Sequence, residues 1–284
     1  MIPKKIYFFW GNEKMSWMRY MTLKSFRMFN PTWEMNLYVS QCPVKDKPWL
    51  SYNYQDFFYF NGIDYMPEIQ KLDINILSWD LSDNELVKLD NNPPLSASHK
   101  SNYFKWYKLA TDGGIYSDLD ILYFKPIDKF YDTINNDGYD TAICQLNYLS
   151  IGFLASAGNN DFYKDIFLNT FNSFNQGDYQ SAGVMNIYNL YVDCPYENVL
   201  NVAQAKYPHL KFYNIPMDLV YPFDSTRIDE AFNSDMKITD LPDISIGYHW
   251  YAGSLTAQDF NNLINEQNYK SINSLFTNIV KEIL

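Results

Sequence analysis

The sequence predicts an α/β fold with a mostly parallel central sheet flanked by helices, and the first 40 residues carry the main reasons. Residues 6–10 form a continuous apolar run, which is typical of a parallel strand that is buried on both faces. A turn at Gly11 leads into a helix predicted over residues 16–29, which ends before Pro31. Residues 36–40 form a second predicted strand. A strand, a helix and a strand in this order open a nucleotide-binding α/β fold.

The rest of the chain continues as one domain over residues 1–284 with a helical tail at its C-terminal end, since no repeat or low-complexity linker marks a boundary. The next predicted elements are short helices with one strand at 74–79 over residues 52–89, a break at 91–94, and a helix at 97–111 ended by Gly113 and Gly114. After them we predict a strand at 115–124 that is interrupted by acidic residues, strands at 141–145 and 151–155, a helix at 161–174, a strand at 244–248 and the tail at 259–284. The tail carries a predicted buried stripe of Leu263, Ile272, Leu275, Ile279 and Leu284.

The composition fits a globular domain and argues against a nucleic-acid partner. Hydrophobic residues make up 47% and charged residues 19% of the chain, which permits a sizeable core. The formal net charge is −11 and the lysines are scattered, whereas proteins that grip nucleic-acid phosphates normally present a basic stripe. The negative net charge also repels a nucleotide diphosphate, and a bound divalent cation overcomes this repulsion locally. The 25 tyrosines suit sugar or base stacking, although an aromatic-rich core is the commoner reason for them.

The cysteines and the apolar runs predict a cytoplasmic protein without a transmembrane segment. Cys42, Cys144 and Cys194 are odd in number and lack metal-type spacing, so we expect reduced structural thiols. No apolar run approaches the roughly 20 residues of a membrane span. The stretch at residues 6–10 is too short for the core of a signal peptide, and no cleavage site of small residues follows it.

The most informative motif is the run from Gly113 to Asp120, which contains two aspartates two residues apart. At the end of a strand, Asp118 and Asp120 can point to the same side of the sheet. One carboxylate can then ligate Mn²⁺ or Mg²⁺ while the other meets a ribose or a metal-bound water, because these cations prefer oxygen ligands. A solvated strand end is the alternative for an isolated pair. The preceding helix and glycine turn favour the functional interpretation.

The predicted helix before this motif carries a polar stripe. Ser98, Ser101, Asn102 and Lys105 fall at helical spacing on one side of it. The stripe leads directly to the acid pair and is placed to contact ribose and phosphates. An exposed polar face of the helix is the alternative.

In this combination the chain resembles the DXD glycosyltransferases of family 32 and is similar to the glucosylating domains of the large clostridial toxins. The segments that carry the resemblance are IPKKIYFFWG at 2–11, SNYFKWYKL at 101–109, GGIYSDLD at 113–120, IGFLAS at 151–156, SAG at 181–183 and HWYAGS at 249–254. The resemblance implies a GT-A type nucleotide-diphospho-sugar transferase fold, a divalent metal and retention of the anomeric configuration. It implies transfer of a hexose from a nucleotide-diphosphate sugar, UDP-sugar being favoured over GDP-mannose, to a glycan or other hydroxyl acceptor.

The resemblance also implies that Phe9, Trp10, Ser101, Asn102 and Lys105 bind the donor. Phe9 and Trp10 border or stack on the nucleobase, and Asn102 and Lys105 lie near the ribose and the donor sugar. Lys105 and the metal together neutralise the charge that grows on the leaving diphosphate. The family usually has Asp and Arg where this chain has Asn102 and Lys105; Asn has lost the charge, and Lys lacks the bidentate fork.

The metal site that the resemblance implies consists of Asp118, Asp120, His249 and Ser254. Asp120 ligates the metal directly, and Asp118 contacts the ribose and the metal shell. The implied catalytic residues are Asp118, Asp120 and Lys105. His249 and Ser254 complete the site from a C-terminal loop. A histidine beside large aromatic residues is also compatible with simple packing.

For the reaction we expect same-face attack by the acceptor, with its proton passing to the leaving phosphate oxygen, because the sequence singles out no enzyme nucleophile. A non-catalytic glycan- or nucleotide-binding relative of the same fold is the main alternative. A DXD phosphatase is disfavoured because Leu122 stands where Thr or Val follows the second aspartate. A hydrolase with paired carboxylates is disfavoured because Asp118 and Asp120 are too close in sequence to flank a sugar ring.

Overall fold

The computed structural model describes residues 1–41, 60–89, 95–192 and 198–284. The strands in these ranges are β1 (Lys5–Trp10), β2 (Glu34–Val39), β3 (Asn75–Ser78), β4 (Gly114–Ser117), β5 (Ile121–Tyr123), β6 (Thr141–Gln145), β7 (Leu149–Ser156), β8 (Phe212–Asn214) and β9 (Gly247–His249). The α-helices in the same ranges are α1 (Trp17–Phe29), α2 (Met66–Ile69), α3 (Ala97–Thr111), α4 (Asp128–Asn136), α5 (Asp161–Ser173), α6 (Val184–Tyr191), α7 (Val199–Lys206), α8 (Ile228–Phe232), α9 (Leu255–Leu263) and α10 (Leu275–Ile283).

Seven of these strands form one twisted sheet in the order β3-β2-β1-β4-β7-β6-β8. Strand β1 pairs in parallel with β2 and with β4, and the pairs β2–β3 and β6–β8 are also parallel. Strand β7 runs antiparallel to both β4 and β6. The prediction of an α/β fold with a mostly parallel central sheet flanked by helices is confirmed.

Alternate side chains of β1 and β4 enter two hydrophobic layers on opposite faces of the sheet, as the two-residue period of a strand requires. Ile6, Phe8 and Ile115 lie in the layer that also contains the buried face of α1. Tyr7 and Tyr116 lie in the other layer, with the buried faces of α3 and α5. The sheet is therefore covered on both sides, which explains the continuous apolar run of β1.

Two serine caps determine where helices α1 and α3 begin. The Ser16 hydroxyl accepts a hydrogen bond from the Arg19 N–H at the start of α1. The Ser96 hydroxyl accepts one from the His99 N–H at the start of α3. Such caps provide partners for N–H groups that have none within the helix. Both helices agree with their predicted ranges, and Asn30 ends α1 as expected.

The strand order reverses between β1 and β4, because the chain runs from β1 to β2 on one side of β1 and later returns to its other side as β4. Open α/β sheets bind ligands in the crevice at the carboxyl ends of the strands beside such a reversal. Trp10 is the last residue of β1, and Asp118 immediately follows β4. The crevice therefore lies between these two residues.

The prediction of one strand over residues 115–124 is wrong, because the structure has two strands there in different sheets. Strand β4 ends where the Asp118 N–H donates to the Gly152 carbonyl oxygen at 2.7 Å. The chain then turns, and β5 pairs antiparallel with β9 in a separate two-stranded sheet. Aspartate is unfavourable within a strand, so the acid pair occupies the turn instead. Strand β9 also lies later than the strand predicted at 244–248.

The C-terminal tail contains the helices α9 and α10, but residues 264–274 between them are not α-helical, so the prediction of a helical tail is only partly confirmed. Its buried stripe also differs from the prediction. Leu275 and Ile279 of α10 are buried. Leu263 and Leu284 are 53% and 52% exposed. The neighbouring Ile264 takes the inward position in place of Leu263, because α9 ends there and the chain direction changes.

Several predictions concern residues that lie outside the described ranges, namely the break at 91–94, Cys42 and Cys194. Cys144 is a free thiol on β6, and burial raises its pKa to about 12, as expected for a structural thiol. The part of the chain that is described contains no helix that is long and apolar enough to cross a membrane.

We expect Gly113→Ala to destabilise the protein more than Gly138→Ala. Both glycines have a left-handed backbone, with φ of 65° and 70°. A methyl group on Gly113 would lie 2.5 to 2.7 Å from main-chain atoms of residues 156–158, whereas Gly138 has nothing within 4 Å. The left-handed backbone alone costs about 1 kcal/mol, and the clash at Gly113 adds about 2 kcal/mol. Urea unfolding of the two variants measures the difference; equal losses would show that the turn before β4 is not closely packed.

Candidate active site

Asp118 and Asp120 lie in the turn between β4 and β5, at the crevice of the main sheet. Their side chains are 30% and 14% exposed, so neither is a freely solvated surface acid. The turn puts Leu119 between them into the core, where it is 4% exposed. The two carboxylates consequently share one side of the turn.

The Asp118 carboxylate is oriented by two donors that contact the same oxygen. Lys105 Nζ lies 3.3 Å from Oδ1, and the Tyr116 hydroxyl donates to Oδ1 at 2.7 Å. The Ser101 hydroxyl lies 2.7 Å from the Tyr116 oxygen and extends the chain of hydrogen bonds to α3. No hydrogen bond to the second oxygen, Oδ2, is found among the described residues, so Oδ2 faces the site.

Lys105 is enclosed, with only 2% of its side chain exposed. Its ammonium group also donates to the Ile151 carbonyl oxygen at 3.1 Å and lies 4.5 Å from the centre of the Tyr116 ring. Burial lowers the pKa of Lys105, and the negative charges of Asp118 and Asp120 oppose that effect. Lys105 is therefore a buried positive charge that offsets the negative charge of Asp118 and Asp120.

The Asp120 carboxylate contacts the C-terminal part of the chain with both oxygens. His249 Nε2 lies 3.1 Å from Oδ1, and the Ala252 N–H donates to Oδ2 at 2.9 Å. Burial acts to raise the pKa of Asp120, but the charge and hydrogen bond of His249, the charge of Arg19 and the Ala252 N–H together hold that pKa well below its ordinary value. Asp120 is thus a carboxylate at neutral pH.

His249 reaches Asp120 because β9 pairs with β5. The register places His249 opposite Ile121, one residue after Asp120. The Nδ1 atom of His249 accepts a hydrogen bond from the Tyr251 N–H at 3.3 Å. His249 Nε2 is thereby turned towards Asp120.

Asp118, Asp120 and His249 each present one ligand atom, and these three atoms lie within 4.8 Å of one another. Asp118 Oδ1 and Asp120 Oδ2 are engaged elsewhere, so Asp118 Oδ2, Asp120 Oδ1 and His249 Nε2 are the candidate ligand atoms, and a bound metal would replace the 3.1 Å contact between the last two. Two carboxylate oxygens and one imidazole nitrogen suit Mn²⁺, and the oxygens suit Mg²⁺. The residues present therefore fit a divalent cation.

Gly152 of β7 forms the floor of this candidate metal site. A Cβ atom on Gly152 would lie 2.8 Å from Asp118 Oδ2, 3.1 Å from the Tyr221 hydroxyl and 3.2 Å from His249 Nε2. Any larger residue would therefore occupy the space between the ligand atoms. The Tyr221 hydroxyl is buried and has no hydrogen-bond partner among the described residues, so the site contains a polar atom that still requires one.

The structure places the other residues predicted from the sequence at different distances from the acid pair. Ser101 reaches Asp118 through Tyr116, as described above. Asn102 is 8% exposed, and its amide lies beside Gly183. Phe9 is 6% exposed, and its ring centre lies 5.2 Å from that of Phe104. The donor contacts of Phe9, Ser101 and Asn102 stay predictions.

Trp10 packs against the hydrophobic layer that contains α1, and Ser254 precedes α9. The Trp10 indole is half-buried, and its N–H donates to the Glu13 carbonyl oxygen at 2.8 Å. The Ser254 hydroxyl accepts from the Ala257 N–H and so caps α9. Base stacking by Trp10 and metal ligation by Ser254 likewise stay predictions.

Four residues of the site were not assigned a role from the sequence: Arg19, Tyr116, Gly152 and Tyr221. Tyr116 and Gly152 fall within segments 113–120 and 151–156, which carry the family resemblance. A glycine inside a hydrophobic strand indicates that other atoms approach the main chain closely, so Gly152 could have been identified from the sequence. Arg19 and Tyr221 stand in segments without a motif. Only the folded chain brings these two to the site.

Residues 16–138 match the family model of the glycosyltransferase sugar-binding region containing a DXD motif. The matched part includes α1, α3 and both aspartates. The chain is accordingly an enzyme of the glycosyltransferase class, as predicted. The narrower resemblance to family 32 and to the toxin domains stays a prediction. No curated protein matches the sequence.

Solved structures with a similar fold include three glycosyltransferases. The PaToxG glycosyltransferase is 14% identical, with 98% of this chain and 86% of that chain covered and a TM-score of 0.46. The galactosyltransferase LgtC, in complex with donor and acceptor sugar analogues, is 13% identical, with 94% and 100% covered and a TM-score of 0.44. Mouse xyloside xylosyltransferase 1 is 10% identical, with 86% and 96% covered and a TM-score of 0.42. None of these similarities identifies the sugar that this chain handles.

We expect Asp118→Asn to destabilise the protein and Lys105→Met to compensate. Without the Asp118 charge, the Lys105 cation stays enclosed with neutral acceptors only, the amide oxygen of the new side chain and the Ile151 carbonyl oxygen. Removing one partner of a buried ion pair costs about 3 kcal/mol. The double variant removes both charges and is expected to regain most of that free energy of unfolding, as measured by urea denaturation at pH 7. A single Asp118→Asn variant as stable as the wild type would contradict this role of Lys105.

Proposed function

We propose that this protein is a metal-dependent, retaining glycosyltransferase that moves a hexose from a nucleotide-diphosphate sugar to a hydroxyl group of a glycan or other acceptor. The observation that carries the proposal is the convergence of Asp118, Asp120 and His249 at the crevice of an α/β sheet, within a chain that matches the DXD sugar-binding region. UDP-sugars are the favoured donors, with GDP-mannose second.

The metal would be held by Asp118 Oδ2, Asp120 Oδ1 and His249 Nε2, with Ser254 as a further candidate ligand. When bound, Mn²⁺ or Mg²⁺ supplies positive charge that stabilises the leaving diphosphate. The protein's own contribution is to keep these ligand atoms fixed. Tyr116 and Lys105 restrain Asp118, and the Ala252 N–H restrains Asp120.

Lys105 acts on the reaction indirectly in this proposal. Its ammonium group is enclosed between α3, Asp118 and the main chain of β7, so it stabilises the acid pair in its charged state. This differs from direct neutralisation of the diphosphate, the role implied by the sequence resemblance. The positive charge that faces the donor must then come from the metal and from other side chains.

In the transfer step, the bond between the anomeric carbon and the phosphate oxygen breaks and a bond to the acceptor oxygen forms on the same face of the sugar. The acceptor proton passes to the leaving phosphate oxygen, so no enzyme nucleophile is required. Asp118 and Asp120 lie in one turn, and a metal held by them would supply the charge that stabilises the leaving group.

We expect a nucleotide to stabilise the protein in the presence of Mn²⁺ and to lose this effect in Asp120→Asn. The substitution keeps the size of the side chain and removes its charge. A ligand at 100 times its dissociation constant adds about 2.7 kcal/mol to the free energy of unfolding. Thermal shifts with UDP, GDP, UDP-glucose, UDP-galactose and GDP-mannose, each with and without Mn²⁺, identify the donor class. Asp132→Asn on the exposed side of α4 is the matched control.

Product analysis by chromatography then separates transfer from binding. Release of free nucleotide and hexose, or transfer to an added sugar, supports a glycosyltransferase. Manganese-dependent nucleotide binding without turnover would instead indicate a binding protein of the same fold. Absence of any nucleotide effect in the wild type would refute the proposed function.

Gly152→Ala tests the geometry of the metal site without changing a ligand. The added methyl group enters the space among Asp118 Oδ2, Tyr221 and His249 Nε2, so we expect the affinity for Mn²⁺ to fall at least about tenfold, as for disturbed metal surroundings in general. Isothermal titration with Mn²⁺ alone provides the measurement. Gly177→Ala, where the nearest atom is 3.5 Å away, is the control and should bind Mn²⁺ as the wild type does. Equal affinities in both variants would place the metal elsewhere.

A further inference from the structure

Arg19 is a cation at the crevice that is held by two indole rings. It lies in the first turn of α1, and its guanidinium carbon is 5.0 Å from the centre of the Trp10 ring and 5.6 Å from that of Trp250. The side chain is half-buried. Among the described residues, its guanidinium group has no ion pair and no hydrogen bond. Five N–H donors are therefore positioned by aromatic contacts while their own partners are missing.

The Arg19 side chain lines a cleft that reaches the main chain beside Asp120. Arg19, Trp10 and Ala252 line this cleft, together with the charged residues Glu13 and Lys14 and with Ser16 and Gln258. Ala252 is also the residue whose N–H donates to Asp120. The cleft that Arg19 lines therefore lies next to Asp120.

The two cations beside the acid pair are placed for different tasks. Lys105 is 2% exposed and is engaged by Asp118 and the Ile151 carbonyl oxygen. Arg19 opens into the cleft, and its planar guanidinium matches phosphate oxygens with two parallel hydrogen bonds. A protein with a net charge of −11 needs such a local positive group to accept an anion.

We propose that Arg19 binds the diphosphate group of the donor, with Trp10 and Trp250 holding its guanidinium in position. The proposal rests on the proposed function, because it names the residue that recognises the anionic part of that substrate. Trp10 then has a second role beside the predicted base stacking, since it restrains the diphosphate-binding residue.

The test compares wild type, Arg19→Gln and Arg19→Lys by isothermal titration in the presence of Mn²⁺. Lys24→Gln, which removes one positive charge from the same helix, is the matched control. The probes are UDP or GDP, whichever the wild type binds, the corresponding nucleoside, and inorganic pyrophosphate. Loss of hydrogen bonds to a charged group weakens binding by about ten- to hundred-fold. We expect this loss for the diphosphate and pyrophosphate in Arg19→Gln, an intermediate effect in Arg19→Lys, and unchanged nucleoside binding.

Titration with Mn²⁺ alone distinguishes diphosphate binding from mere positioning of Asp120. Removing a cation near the metal site should leave Mn²⁺ affinity unchanged or raise it, because repulsion between the two positive charges disappears. Weaker binding of Mn²⁺ alone in Arg19→Gln would assign Arg19 to the positioning of Asp120 and overturn the proposal. Wild-type affinity of Arg19→Gln for the diphosphate, or an equal loss in Lys24→Gln, would also overturn it.

The pyrophosphate arm separates this proposal from the proposed function. If the wild type binds no nucleotide but binds pyrophosphate in an Arg19-dependent manner, the anion site stands and the glycosyltransferase proposal fails. If the wild type binds nucleotide and Arg19→Gln binds it equally well, only the role of Arg19 is wrong. If the wild type binds neither nucleotide nor pyrophosphate, both proposals fail.

Discussion

Lys105 and its two partners join three elements of the fold at the crevice. Lys105 comes from α3, Asp118 follows β4, and the Ile151 carbonyl oxygen that Lys105 also reaches belongs to β7. An enclosed cation requires a nearby anion, because burial without one carries a large desolvation cost. This requirement fixes the Asp118 carboxylate in place. The Tyr116 hydroxyl donates to the same oxygen of Asp118, so the other oxygen is left for a ligand.

The second half of the site depends on a pairing between distant parts of the chain. The two-stranded sheet of β5 and β9 aligns His249 with the residue after Asp120. The loop after β9 then returns close enough for the Ala252 N–H to bond Asp120. Asp120 is thus restrained from the C-terminal side as Asp118 is from α3. The space between the two remains available because Gly152 has no side chain.

The charge distribution at the crevice suits the proposed binding of an anionic substrate by an acidic protein. Two carboxylates concentrate negative charge where a divalent cation fits, and Lys105 offsets part of it from within. Arg19 supplies a positive group on the open side, supported by aromatic faces rather than by a carboxylate. An arginine that is not already paired keeps its hydrogen-bonding capacity for a ligand. The site therefore combines a buried positive charge on Lys105 with a half-buried one on Arg19.

Local features of the sequence determined the main helices and the acid motif. Helices α1 and α3 follow from apolar spacing and from serine caps, and the strand before the motif follows from its apolar residues and the glycines that precede it. These signals act between residues within about one helical turn or along one strand, so they can be interpreted without knowledge of the rest of the fold. The proximity of Asp118 and Asp120 is of the same kind.

Only the tertiary structure decided how the remaining groups combine around that pair. Lys105 has the spacing of an exposed polar stripe, yet the packing of α3 on the sheet encloses it. Arg19 stands between Trp10 and Trp250, which are far apart in sequence and meet through the order of the strands and the course of the C-terminal segment. His249 gains its contact with Asp120 from the β5–β9 register. Such contacts depend on strand order and long-range pairing, which local periodicity does not encode; the sequence determined the chemical groups, and the fold decided their distances and exposure.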